Sequence, residues 1–253
     1  MSGSTIEKAV AIIPARFASQ RFPGKVIVPL AGKPLVYHTY LQTCRAKHIS
    51  RVIVATDDSK VVEALQPYDV EVIMTRPDHL TGTDRIAEVA KQLSDSIIVN
   101  VQGDEPLVDP DTIDRAIEKL HEHPETVMAT ARHALSDPKD IEDPNVVKVV
   151  VDTHGRALYF SRYPIPYVRA PEETNGDEIT HWQHIGLYVF RREFLLSFPD
   201  LPPTPLELLE RLEQLRVLEN GYSIAVVDTE HKSIGVDTPA DLERAREILE
   251  KEF

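Results

Sequence analysis

Arg16, Arg21 and Lys25 lie close together in the run Ile12-Ile13-Pro14-Ala15-Arg16-Phe17-Ala18-Ser19-Gln20-Arg21-Phe22-Pro23-Gly24-Lys25. An apolar segment passes directly into a loop carrying two guanidinium forks, a Pro-Gly turn and an ammonium. Guanidinium groups match paired phosphate oxygens, and an ammonium adds a flexible point charge, so the loop suits a polyphosphate. No Asp or Glu occurs from Lys8 to Thr56. Eight cations against Glu7 give the first 56 residues +7, leaving −20 on the rest of a chain whose net charge is −13. A local positive field on an acidic protein points to a bound anion, not to bulk attraction for a polyanion. The pattern G-x-x-x-x-G-K-[ST] is absent, which disfavours ordinary P-loop ATPase chemistry.

Two acids could complement that loop. Asp104 follows the apolar run Val99-Asn100-Val101 in Gln102-Gly103-Asp104-Glu105-Pro106. A hard carboxylate there could hold Mg²⁺ against phosphate oxygens. Gly-Asp is also a good turn pair, and the residues alone leave both readings open. Asp237 lies in Ile234-Gly235-Val236-Asp237-Thr238-Pro239. Here the simpler reading is favoured: Asp237 or Thr238 caps a final helix, with Pro239 in its first turn. A magnesium site at Asp104 would nonetheless want a second acid.

Thr81-Gly82-Thr83-Asp84-Arg85 offers small residues and hydroxyls for close approach by a base or ribose, or equally a helix cap. His181-Trp182-Gln183-His184 has no cysteine nearby and precedes a strand, so zinc is disfavoured. Glu213-Gln214 falls on an amphipathic stretch, where such residues usually form a solvated face.

The elements that must position these residues alternate. Apolar runs at Ala9–Ile13, Arg51–Ala55, Val70–Met74, Ile97–Val101 and Thr126–Arg132 read as strands. Between them, Leu35–Lys47, Ser59–Leu65, Thr83–Leu93 and a segment from Pro110 to Leu120 read as helices. This alternation predicts a mostly parallel sheet covered on both faces. In such sheets ligands sit beyond the carboxyl ends of the strands, where the cationic loop and Asp104 both fall. After about residue 135 the rhythm changes. Asn145–Val151 and Arg156–Phe160 flank Asp152-Thr153-His154-Gly155 as a hairpin. Tyr163–Asp177 reads as an exposed excursion, Ile185–Phe190 and Tyr222–Val227 as strands, Pro205–Leu218 as one amphipathic helix, and the segment from Thr238 to Lys251 as the last helix.

The 253 residues suit one domain, with or without an inserted lobe. Charged residues at 27% and apolar residues at 42% indicate a globular protein with a real core. Cys44 is the only cysteine, which excludes an intrachain disulfide and a thiolate zinc cage and fits a reducing cytoplasm. No leader-like or membrane-spanning apolar run is expected. A pI of 5.2 argues against general nucleic-acid binding.

Several separate motifs together resemble the CMP-Kdo synthetase (3-deoxy-manno-octulosonate cytidylyltransferase) family. They are IIPARFASQRFPGK at 12–25, LAGKPL at 30–35, VIVATDD at 52–58, TGTDRIAEV at 81–89, VNVQGDEP at 99–106, NVVKVV at 145–150, ALYFSR at 157–162, HIGLYVFR at 184–191, LELLERLEQLRVLENG at 206–221 and GVDTPADLERA at 235–245. They run in the expected order over essentially the whole chain. The resemblance implies an α/β, Rossmann-like, mostly parallel sheet of the nucleotidyltransferase type across 1–253, with an inserted β-rich lobe containing the hairpin at about 137–190. It implies transfer of CMP from CTP to the anomeric hydroxyl of Kdo, with pyrophosphate released, for lipopolysaccharide synthesis. Carried over by position, Arg16, Ser19, Arg21 and Lys25 would hold the triphosphate, and Asp104 and Asp237 would bind Mg²⁺. The loop holding Thr81, Gly82 and Arg85 would approach the cytidine. Gln102, Arg162, His184, Glu213 and Gln214 would line the acid-sugar pocket, Arg162 facing the sugar carboxylate. A homodimer is implied, the hairpin lobe contributing to its interface. The rivals are cytidylyltransfer to a sialate or amino-substituted Kdo, and a non-catalytic nucleotide binder on the same fold.

Overall fold

β1 (Ala9–Pro14) is buried along its whole length. The protein is described from a computed structural model over residues 6–18, 22–169 and 180–252. After β1, a short arm of β2 (Pro29–Leu30) and β3 (Lys33–Pro34) leads into α1 (Leu35–Cys44). Strand and helix then alternate through β4 (Ile49–Thr56), α2 (Ser59–Leu65), β5 (Val72–Met74), α3 (Gly82–Ala90), β6 (Ile97–Val101) and α4 (Pro110–Glu122). Next come β7 (Met128–Leu135), α5 (Pro138–Glu142), the hairpin of β8 (Lys148–Val151) and β9 (Ala157–Ser161), β10 (His181–Arg191) and α6 (Arg192–Ser197). The chain closes with α7 (Pro205–Glu210), α8 (Gln214–Glu219), β11 (Ile224–Thr229) and α9 (Pro239–Glu252).

The main sheet runs β11-β7-β10-β6-β1-β4-β5, and the hairpin joins it where β8 pairs with β10. Neighbours are parallel except β10, which is antiparallel to both β6 and β7. Alternate residues of β1 enter opposite cores. Ala9, Ala11 and Ile13 pack with Val36 of α1 and with Ile113, Ala116 and Ile117 of α4. Val10 and Ile12 pack with Ile86 and Val89 of α3 and with Phe194 of α6. Period-two strands buried on both faces are what a helix-covered parallel sheet requires. Asp109 caps α4 as expected, accepting from Thr112 N at 2.9 Å with Pro110 in the first turn, and Asp58 caps α2, accepting from Lys60 N at 2.9 Å. Among the described residues no helix is long and apolar enough to cross a membrane.

One expected element is broken. Pro205–Leu218 is not a continuous helix: α7 ends at Glu210 and α8 begins at Gln214, with Arg211 between them at φ 54°. The cause is tertiary. Arg162 Nε donates to the Glu210 carbonyl at 2.7 Å, occupying an acceptor that a continuous helix would use internally. The two pieces stay joined by a buried ion pair, Arg216 donating to both Glu207 oxygens at 2.7 and 2.5 Å. β10 is also longer than expected, and its pairing with β7 shifts between Ile185 and Tyr188, at Gly186.

Candidate active site

The carboxyl ends of β1 and β6 share one edge, because the strands pair parallel with Ile12 opposite Asn100. Beyond β1, Pro23-Gly24 turns the chain back: Gly24, at φ 71°, donates to the Phe17 carbonyl at 2.9 Å. A Cβ at Gly24 would also press on the Phe17 ring at 3.2 Å, so glycine suits both conformation and space. That turn delivers Lys25 to the sheet edge. Its Nζ donates to Asp104 Oδ2 at 2.5 Å and to Asp237 Oδ1 at 2.8 Å. Burial alone would lower the Lys25 pKa, but the charge and hydrogen bond of Asp104, with those of Asp237, outweigh it and raise the ammonium above its ordinary value.

Asp237 reaches this point because Val236 N donates to the Asp104 carbonyl at 2.8 Å, stitching the 234–238 segment onto the loop after β6. Of the two capping candidates, Thr238 takes the cap. Thr238 and Asp241 form the reciprocal pair at the start of α9, Asp241 N donating to Thr238 Oγ1 at 3.3 Å and Thr238 N to Asp241 Oδ2 at 2.9 Å. Asp237 is thereby left to face Lys25. Behind the pair, Glu105 contacts Ser233, and burial together with the charge of Asp104 pushes its pKa up to about 7. Gly103 holds the two strand ends together, since a Cβ there would lie 2.7 Å from the Pro14 carbonyl. Gly103→Ala is therefore expected to lower stability by about 1–3 kcal/mol, as overpacking does. It should also reduce turnover by separating Asp104 from the β1 loop, and urea unfolding beside a rate assay would show both losses.

Two cavities meet here. One, of about 350 Å³, is lined by Arg16, Lys25, Thr81, Gly82, Gln102, Asp104 and Glu213. The other, of about 240 Å³, is lined by Gly82, Asn100, Gln102, Gly186, Tyr188, Arg211, Glu213, Gln214 and several apolar side chains. Gly82, Gln102 and Glu213 belong to both, so the cavities are contiguous. In the first, Arg16 Nη2 is buried with no hydrogen-bond partner among the described residues. Burial and the nearby Arg85 charge lower the Arg16 pKa from its ordinary value. An orphaned buried cationic donor is an acceptor site for an anion. In the second cavity, Gln214 Nε2 is likewise buried and unpartnered, and burial raises the Glu213 pKa against the hydrogen bond from Thr83. Glu213-Gln214 is thus not a solvated face: Gln214 is 3% exposed.

Three expected residues stand elsewhere. Arg85 does not reach either cavity; it is fully buried, paired with Asp57 at 3.0 Å and bonded to Thr75, an arrangement that satisfies a charge carried inward by α3. Arg162 lines neither cavity, because its guanidinium is held by the carbonyls of Glu210 and Pro144 at 2.7 and 2.8 Å. Arg211, which the sequence reading passed over, lines the second cavity instead. His184 lies behind the wall, its Nε2 against Thr130 Oγ1 at 2.9 Å and its ring against Phe160 and Tyr188. Ser19 and Arg21 lie outside the described residues. Asn100 and Tyr188 were also missed. Asn100, a polar residue 1% exposed in the middle of an apolar strand, was the available signal.

Burial depresses the His184 pKa to about 3 from the ordinary 6.5. The unfolded chain takes up this proton near the ordinary value and the folded protein does not. Stability linked to the neutral ring is therefore complete above pH 6.5 and is lost as pH falls toward 3. The loss is at most about 1.4 kcal/mol per pH unit. Urea midpoints of His184→Gln should fall less steeply than those of the unmodified protein between about pH 7 and 4; parallel slopes would separate His184 from the acid sensitivity.

Oxygen donors on two carboxylates, brought together with a cation already between them, are the donor set that Mg²⁺ prefers. Asp104 and Asp237 thus fit that ion.

A lysine delivered by the turn after the first parallel strand, facing a carboxylate pair beside a cavity that carries an orphaned arginine donor, is the arrangement of a nucleotidyltransferase. Residues 10–232 match the family described as "Cytidylyltransferase". The chain is 54% identical over 245 residues to the 3-deoxy-manno-octulosonate cytidylyltransferase of Geobacter sulfurreducens, covering 94% of this chain and 98% of that one. It is 51% identical to the protein of the same name from Solibacter usitatus, covering 96% and 94%. A solved structure described as CMP:2-keto-3-deoxy-manno-octonic acid synthetase complexed with CTP is 40% identical and superposes with a TM-score of 0.90, over 98% of this chain and 100% of that one. A cytidylyltransferase from Leptospira borgpetersenii, 16% identical over 97% of this chain and 87% of that one, shares the fold at a TM-score of 0.63. The chain belongs to the 3-deoxy-manno-octulosonate cytidylyltransferase family.

Proposed function

We propose that this protein transfers CMP from CTP to the anomeric hydroxyl of 3-deoxy-D-manno-octulosonate, giving CMP-Kdo and pyrophosphate for lipopolysaccharide synthesis. The carrying observation is the meeting of Lys25, Asp104 and Asp237 beside the cavity that Lys25 and Asp104 line, which shares Gly82, Gln102 and Glu213 with a second cavity. Family membership supplies the substrates. The cavity holding Arg16, Lys25, Thr81 and Gly82 takes the nucleotide, with Ser19 and Arg21 of the same loop assigned to its phosphates. The cavity holding Gln102, Glu213 and Gln214 takes the acid sugar, with His184 and Arg162 supporting its walls.

In the reaction the anomeric oxygen bonds to the α-phosphorus and loses its proton to the surroundings. The bond from that phosphorus to the β-phosphate bridge breaks, and pyrophosphate leaves with the electron pair. Both reactants are anionic, so catalysis consists of positioning and charge neutralisation. Lys25 and Arg16 stabilise charge on the departing pyrophosphate. Gln102, Gly82 and Glu213, common to both cavities, set the approach of acceptor to nucleotide. Asp104 and Asp237 would hold Mg²⁺, which would supply Lewis-acid stabilisation of charge on the phosphate.

The enzyme works in the cytoplasm as a homodimer. Exposed Leu158 on β9 and Leu208 and Leu209 on α7, elements joined by Ser161 and Glu210 at 2.8 Å, support an interface near the hairpin. Pyrophosphate release with CTP, Mg²⁺ and a panel of Kdo, amino-substituted Kdo and sialate tests the assignment. Kdo should give the highest kcat/KM; preference for another sugar would reassign the acceptor, and no release with any would remove the activity.

A further inference from the structure

One ammonium bridges the two carboxylates, Lys25 Nζ standing 2.5 Å from Asp104 and 2.8 Å from Asp237. The Lys25 side chain is 12% exposed, whereas those of Asp104 and Asp237 are 28% and 40% exposed, so the carboxylates stay accessible to an ion from solvent. We infer that Lys25 is a resident counter-cation that competes with the divalent ion for Asp104 and Asp237, and that a nucleoside triphosphate frees the pair by drawing the ammonium onto its phosphates. The inference rests on the nucleotidyl-transfer reading of this site.

Two carboxylates drawn together from distant parts of the chain repel unless a cation lies between them. Lys25 supplies that charge within the protein itself. A divalent ion seated on the same oxygens would stand within about 4 Å of the ammonium, where like charges oppose each other strongly. Both cannot be held well at once. The ammonium has somewhere to go: the nucleotide cavity is lined by Lys25 as well as Asp104, and the buried Arg16 donor, without a partner among the described residues, marks it as an anion site. A lysine, with its flexible stem and rotatable donors, can exchange carboxylate for phosphate, whereas an arginine fork is held to its geometry. Divalent ion and nucleotide therefore strengthen each other's binding, reciprocally, through the position of one side chain. The ion binds weakly when offered alone, which keeps the site from filling without its substrate.

The test measures Mn²⁺ binding by electron paramagnetic resonance of the free ion, with no nucleotide or sugar present. The unmodified protein should bind Mn²⁺ weakly at this site. Lys25→Met should bind at least about tenfold more tightly, within the usual range of coupling between linked sites. Asp104→Asn placed in the Lys25→Met background should abolish the gain, and Lys25→Arg, which keeps the charge, should show none. Lys25→Gln serves if the methionine variant does not fold. Equal affinities for the unmodified protein and the neutral variants would overturn the inference, as would tight micromolar binding by the unmodified protein alone. These outcomes are independent of turnover. Failure of pyrophosphate release would defeat the functional reading and leave the Mn²⁺ series standing, whereas a flat Mn²⁺ series with normal turnover would defeat only the counter-cation role.

Discussion

Lys25→Ala is expected to lower kcat by about a hundredfold or more, the loss seen when one preorganised electrostatic group is removed from a shielded site. The ammonium is held at the meeting point of the two carboxylates, at the edge of the cavity proposed to take the nucleotide. In the proposed mechanism charge develops on the departing pyrophosphate, and Lys25 would meet it. The loss should appear in kcat as well as in the KM for CTP, because stabilisation of developing charge acts in the transition state. Saturating CTP should not restore the rate. Circular dichroism would confirm that the variant keeps its fold, since Lys25 contributes no apolar packing to the cores described above. A kcat within a few-fold of the unmodified enzyme would take Lys25 out of the mechanism.

Asp104→Ala should cost a comparable factor, about a hundredfold or more, for a related reason. Asp104 is the nearer of Lys25's two carboxylate partners and one half of the donor set that suits Mg²⁺. Its removal would leave Asp237 alone to hold the ammonium and, in the proposed mechanism, the ion. The apparent affinity for Mg²⁺ should fall together with kcat, and a Mg²⁺ titration at saturating CTP would separate the two effects. Excess Mg²⁺ should recover part of the affinity loss but little of the rate loss, because the remaining single carboxylate positions the ion less firmly. Ordinary turnover at ordinary Mg²⁺ would show that Asp104 is a turn residue after all.

The layout of the molecule was legible in the sequence to an uneven degree. Strands buried on both faces, such as Ala9–Pro14, declare themselves as unbroken apolar runs because both faces of the sheet are covered. The helix start at Asp109-Pro110 declares itself because capping is a local bond between neighbours in the chain. The single helix expected over Pro205–Leu218 failed for the opposite reason. Its apolar period is continuous, but Arg162, distant in sequence, claims the carbonyl that would have continued it. Arg85 and Arg162 both carry the charge expected of ligand-binding residues, and both are committed elsewhere, one to Asp57 and one to backbone carbonyls. Residue type announces what a side chain can do, not which partner it meets.

By itself, the amino-acid sequence settled the alternating α/β arrangement, the cationic turn after the first strand, and the family to which the ordered motifs belong. These depend on periodicity, capping and local charge, which act over a few residues. Only the tertiary structure decided that Asp237 turns to Lys25 while Thr238 takes over the cap, and that two cavities join at Gly82, Gln102 and Glu213. Those outcomes depend on the register of parallel strands and on one backbone bond from Val236 to Asp104, contacts between segments that no local pattern relates.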